Sequence, residues 1–255
     1  MFVDTHCHLD DEKFIGCSSS KDLGIENLEL AITMGCNLQG SINCKQLAET
    51  YPNLYFGAGF HPGNQKDYCK EDFIKLKELF SHPKCVCVGE IGLDYHWEPF
   101  DKIKQSDLLI LQLDLADKLN LPVSLHSRDA TADMINVLKS YSPKSRGVMH
   151  CYSGSKETAK ILLDLGYYIS FAGTLTFKNA VNLKEVASYI PTDRILTETD
   201  SPYLAPHPLR GTVNNPSNVG IITDCLAKIK GVSIIEMADA VKENALKLFN
   251  KIKSI

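Results

Sequence analysis

The sequence predicts an α/β protein, a single (β/α)8 TIM barrel spanning residues 1–255, with a metal site at the C-terminal ends of its strands. Three observations predict it. Short apolar runs alternate with helical patterns along the whole chain. The 255 residues, 44% hydrophobic and 23% charged, suit one large α/β domain with a full core. Carboxylates and imidazoles stand singly at the ends of successive apolar runs, where a barrel gathers its chemistry.

The elements follow in order. Phe2 and Val3 open a strand over 2–6, a helix is expected at 25–34, and a second strand at 37–43. The run 54–60 reads as the third strand and 71–80 as a helix. Residues 86–91 read as the fourth strand, continuing the pattern Cys85-Val86-Cys87-Val88 in which a thiol acts as a small apolar side chain. The clearest helix is 101–119, with Leu108, Leu111, Leu115 and Leu119 on one stripe. Strands at 122–126, 147–151, 167–172 and 195–199 then alternate with helices at 130–140, 156–165 and 182–189. Two helices, 216–228 and 233–250, close the chain. Eight strands is the barrel count, and a doubly wound open sheet is the main rival. The one long unpatterned stretch, 200–215, carries Pro202, Pro206, Pro208 and Gly211 and is expected to wall the substrate site.

Charge and cysteines narrow the function classes. Against 31 acidic residues stand 27 Lys and Arg, a formal charge of −4, so no overall basic field marks a nucleic-acid binder. Divalent ions and a local basic rim can still supply positive charge. The nine cysteines are odd in number, form no Cys-x-x-Cys pair and follow no leader-like segment. A reduced, cytoplasmic protein with no membrane association is expected. Cys7 and Cys151 lie beside candidate ligands, but Cys7 should face away from His6 and His8.

His6 and His8 are two apart on a strand and therefore share a face, so one ion can take both. Asp4 either steadies one imidazole from behind or forms a turn. Glu90 lies in an otherwise apolar strand, a costly place for a carboxylate without a cation. His126 and His150 each end a strand at the same level, and Asp200 completes the ring after Glu198-Thr199. Asp200 could bind metal and accept a proton from water, with Glu198 competing for or supporting that role. His61 and Arg128 are assigned to substrate, Arg128 through its fork of donors. Lys104, Lys178 and Arg210 stand where they could guide a polymer strand.

These residues fall in ordered motifs: Asp4-Thr5-His6-Cys7-His8-Leu9-Asp10, Gly59-Phe60-His61-Pro62, Gly89-Glu90-Ile91-Gly92-Leu93-Asp94-Tyr95 and His126-Ser127-Arg128. They continue as His150-Cys151-Tyr152-Ser153-Gly154, Glu198-Thr199-Asp200-Ser201-Pro202-Tyr203-Leu204 and Arg210-Gly211. The chain thereby resembles the TatD family of metal-dependent deoxyribonucleases, a branch of the amidohydrolase-like barrel hydrolases. The resemblance implies two divalent metal ions (Zn, Mn or Mg). His6, His8, Glu90 and Asp200 would surround one, and Glu90, His126 and His150 the other. It implies DNA as substrate, single-stranded or at duplex ends, with 3′–5′ trimming among the modes it allows. Ser106-Asp107 and Thr212-Val213-Asn214-Asn215 depart from the family pattern, which is more basic at the mouth.

The reading is hydrolysis of DNA phosphodiesters by metal-activated water, with Asp200 and Glu90 as catalytic groups. An amide or ester hydrolase acting on a cyclic amide or aminoacyl ester is the alternative, because the same ligands serve attack on a carbonyl. A metal-stabilised scaffold without turnover is a third. No protein partner is inferred.

Overall fold

Eight parallel strands run in the order β1 to β8, each hydrogen-bonded to the next in sequence. The computed structural model describes residues 1–65, 68–141 and 146–253. The strands are β1 (Phe2–Cys7), β2 (Leu28–Met34), β3 (Leu54–Ala58), β4 (Cys85–Asp94), β5 (Val123–Arg128), β6 (Gly147–Met149), β7 (Tyr168–Phe171) and β8 (Ile195–Thr197). The helices are α1 (Leu38–Thr50), α2 (Lys70–Leu79), α3 (Lys102–Leu119), α4 (Thr131–Ser140), α5 (Lys156–Asp164), α6 (Val181–Tyr189), α7 (Val219–Lys230) and α8 (Ile234–Leu248). This is the alternation of a TIM barrel, and the seam between β8 and β1 nearly closes it. Thr5 Oγ1 donates to the Thr197 carbonyl and Thr197 Oγ1 to that of Val3, both at 3.0 Å. Beyond the strand ends Asp200 N donates to His6 O at 2.9 Å and His8 N to Ser201 O at 2.7 Å. Among the described residues no helix is long and apolar enough to cross a membrane.

Two elements are the reverse of those expected. Residues 25–34 are not a helix: Leu28–Met34 is strand β2, buried along nearly its whole length. A central parallel strand is covered on both faces and reads as a continuous apolar run, which periodicity alone does not separate from a buried helix. Residues 37–43 are not a strand. Asn37 is the N-cap of α1, its side chain accepting from Gly40 N at 2.8 Å.

The stripe on α3 is also rotated from the expected one. Its buried face carries Gln105, Leu108, Leu109, Gln112, Leu113, Leu115 and Ala116, while Leu119 is exposed. The two glutamines hold the ends of strands. Gln105 Oε1 accepts from Asp94 N and its Nε2 donates to Asp94 O. Gln112 grips Phe60 in the same two-sided way, at 2.7 and 3.1 Å. Buried amides so paired lose little to desolvation, and they lock the backbone beside His61 and beyond Glu90.

Candidate metal centre

Glu90 is not at the end of its strand; β4 continues for four residues to Asp94. The pairing register with β5 slips between Val88 and Ile91, so the strand carries an extra residue here. Such a bulge bends the strand and re-aims a side chain. The Glu90 carboxylate enters a nest of imidazoles and is almost fully buried.

Its two oxygens serve two sides. Oε1 lies 2.8 Å from His150 Nε2, 2.9 Å from His126 Nδ1 and 3.6 Å from His61 Nε2. Oε2 lies 3.5 Å from the Nε2 atoms of both His6 and His8. On that side Asp200 Oδ1 stands 3.3 Å from His8 Nε2 and 3.9 Å from His6 Nε2. The His6 and His150 rings stack at 3.9 Å and 8° between planes, joining the two halves. His6, His8, His61, Glu90, His126, His150 and Asp200 are therefore all brought together.

The far nitrogens decide what the near ones can do. His8 Nδ1 is 3.1 Å from the Met34 carbonyl, His150 Nδ1 is 3.3 Å from Glu198 Oε1, and His126 Nε2 is 3.0 Å from Asp94 Oδ2. Each partner is an acceptor, which assigns the proton to the far nitrogen and leaves the inward one a bare lone pair in the neutral ring. Bare lone pairs facing a carboxylate oxygen at 2.8–2.9 Å repel unless a cation lies between them. The His6 and His8 Nε2 atoms, 3.3 Å apart, pose the same demand. Groups of three such donor atoms converge within 4.8 Å of one another. The donor set fits divalent ions.

His61 is built differently. Its Nδ1 accepts from Gly63 N at 3.0 Å, so Nε2 carries the proton and points at the site as a donor. Burial lowers its pKa to about 4, which keeps the ring neutral.

The charges are mutually set. Burial pushes Glu90 up, but the charge of His150 and the hydrogen bonds of His126 and His150 hold it well below the carboxylate range. Burial likewise opposes ionisation of Asp200, and the hydrogen bond and charge of His8 outweigh it. His150 is pushed up despite burial, by Glu90 and Glu198. These carboxylates draw positive charge to the centre, whether protons or metal.

Three roles differ from expectation. Asp4 steadies no imidazole; its oxygens accept from His6 N, Thr199 N and Thr199 Oγ1, tying β1 to the segment after β8. Asp94, part of the Gly89–Tyr95 motif, backs His126. Its position four residues beyond Glu90 on one strand, hence on the same face, was the available signal. Cys36, also missed, places Sγ 3.7 Å from Glu90 Oε2 and 3.8 Å from His8 Nδ1. It follows β2, within the stretch where strand and helix were exchanged, so no strand end was expected there. Cys7 lies in the core with Sγ on the Ile32 carbonyl.

The mouth carries the rest. Arg128 borders a cavity of about 320 Å³ that also meets His150 and Tyr152. Lys104 pairs with Asp101 at 3.5 Å, and Arg210 lies over the Phe177 ring. In the 200–215 loop, Tyr203 stands edge-on to His8, and Asn214 donates to the carbonyls of Thr199 and Tyr203. Asn215, in the stretch that departs from the family pattern, caps the turn at Pro216–Asn218.

A parallel barrel whose mouth holds buried imidazoles around a two-sided carboxylate defines a class, the metal-dependent hydrolases. Residues 3–250 match the family model described as TatD related DNase, and the chain belongs to that family. Its relatives include YabD of Bacillus subtilis, named an uncharacterized metal-dependent hydrolase, 38% identical over 98% of this chain and 99% of that one. YcfH of Escherichia coli, named in the same way, is 38% identical over 97% of this chain and 95% of its own length. Among solved structures, YjjV, a TatD homologue from Escherichia coli K12, superposes with a TM-score of 0.92 at 32% identity over 98% of each chain.

Proposed function

We propose that this chain is a deoxyribonuclease that hydrolyses phosphodiester bonds of single strands or duplex ends at a two-ion centre. The observation that carries the reading is the division of Glu90 between the His126–His150 side and the His6–His8–Asp200 side. Ions held there would supply a water of lowered pKa, toward ~7, and would offset charge on the phosphoryl oxygens.

The chain's own groups supply the remainder. His6, His8, Glu90 and Asp200 would hold one ion, and Glu90, His126 and His150 the other. Asp200, ionised at neutral pH, is placed to orient the attacking water and take its proton. The His61 Nε2–H donates to a phosphoryl oxygen, and a neutral donor there adds no competing charge to the ligand shell. Arg128 holds the phosphate from the rim with two parallel donors.

The test is cleavage of end-labelled single- and double-stranded DNA with magnesium, manganese or zinc, beside Asp200→Asn at matched concentration. Metal-dependent cutting that is lost in the variant is the expected result, and the fragment ladder reports whether cutting starts from an end. Intact DNA with metal-loaded protein removes the phosphodiesterase reading and turns attention to amide and ester substrates.

A further inference from the structure

Trp97 is the only tryptophan of the chain, and it is 67% exposed. An indole offers a large apolar face and one N–H donor, a combination enriched at binding surfaces. This one is held in place. It lies three residues beyond Asp94, the group that backs His126. Its neighbour His96 is pinned twice, by its backbone N–H to Asp94 Oδ1 at 2.8 Å and by Nδ1 to Asp129 Oδ2 at 2.9 Å. The His96 ring meets the indole edge-on at 4.8 Å. The Arg128 guanidinium sits over the indole ring, 5.3 Å from its centroid. Among the described residues no carboxylate pairs with Arg128. Arg128 also lines the cavity that His150 lines, so the guanidinium touches the indole on one side and shares a cavity with one member of the metal centre on the other.

We propose that Trp97, with Arg128 on its ring, is a stacking platform for a base of the DNA strand whose phosphate lies at the metal centre, an inference that rests on the deoxyribonuclease reading. An aromatic face and a guanidinium in contact match the two parts of a nucleotide, its base and its phosphate. The platform takes any base, because every base has a π face. It requires an unstacked one, so it favours single-stranded or frayed ends over intact duplex.

Because Trp97 is the sole indole, its fluorescence reports the platform directly. Metal-loaded wild-type protein would be titrated with a cleavage-resistant phosphorothioate oligothymidylate and with an abasic strand of equal length. Saturable quenching by the base-bearing strand, and much less by the abasic one, is expected. Trp97→Ala should raise KM for single-stranded DNA by on the order of tenfold with kcat little changed, and Trp97→Tyr should restore most of the loss. Equal quenching by both strands, or an unchanged KM in Trp97→Ala, overturns the platform while cleavage by wild type leaves the nuclease standing. Quenching by the base-bearing strand without cleavage of any DNA removes the nuclease and keeps a nucleic-acid site. Neither quenching nor cleavage removes both.

Discussion

Asp94 holds His126 from behind: its Oδ2 lies 3.0 Å from Nε2, while Nδ1 of the same ring stands 2.9 Å from Glu90. The carboxylate assigns the ring's proton to the outer nitrogen and raises the basicity of the inner one. Asp94→Asn keeps the hydrogen bond to His96 N available but removes the charge behind the imidazole. We expect metal affinity to fall by roughly 10- to 100-fold with the fold intact. Competition with a chelator of known affinity measures it, and unchanged affinity would show that Asp94 only shapes the turn.

Metal should stabilise the whole chain, because the candidate donors come from β1, β4 and β5 and from the segments that follow β1, β6 and β8. Ligand at about 100 times its Kd adds about 2.7 kcal/mol for one site. For a chain of this size that raises Tm by roughly 5–10 °C. Thermal melts with excess zinc or manganese, against chelator, check it. A Tm indifferent to metal would count against any ion at this centre.

His61 separates substrate contact from metal binding. With Nε2–H a donor, His61→Ala should leave the number of bound ions unchanged and lower kcat on DNA by roughly 100-fold, as loss of one oxyanion donor does. Elemental analysis beside steady-state kinetics tests both halves. Loss of an ion in the variant would make His61 a ligand instead.

Cys36 puts a sulfur at the edge of a nitrogen and oxygen donor set. Burial pushes its thiol up to about 11, so it stands as a neutral thiol beside Glu90 unless a soft cation draws it in. Cys36→Ser should weaken zinc more than manganese, shifting the preference toward the harder ion. Parallel titrations of the two metals decide it, and equal changes would confine Cys36 to packing.

Asn37 tests the corrected segment. Asn37→Ala removes the cap of α1 and should cost about 1 kcal/mol, lowering Tm by roughly 2–4 °C. A melt of the metal-free protein measures it apart from ion binding.

Much of this was legible in order of residues. The alternation of runs implied the barrel, and the imidazoles and Asp200 that converge on Glu90 were visible as polar groups closing apolar stretches, whereas Cys36 was not. The exchange of 25–34 and 37–43 had a local cause: Leu28-Glu29-Leu30-Ala31-Ile32-Thr33-Met34 buries both faces, so neither period stands out. The buried face of α3 is rotated from its leucine stripe, because Gln105 and Gln112 face inward to hold the backbones of Asp94 and Phe60. A buried polar residue becomes predictable only when its partner is known.

What the sequence by itself determined is the list of donors and the strands that carry them, because residue type and strand periodicity are local properties. What only the tertiary structure decided is which nitrogen of each imidazole faces inward. That choice belongs to Met34, Asp94, Gly63 and Glu198, partners 2 to 48 residues away along the chain. A proton goes where an acceptor waits, and a hydrogen bond exists only once folding has brought both atoms within about 3 Å.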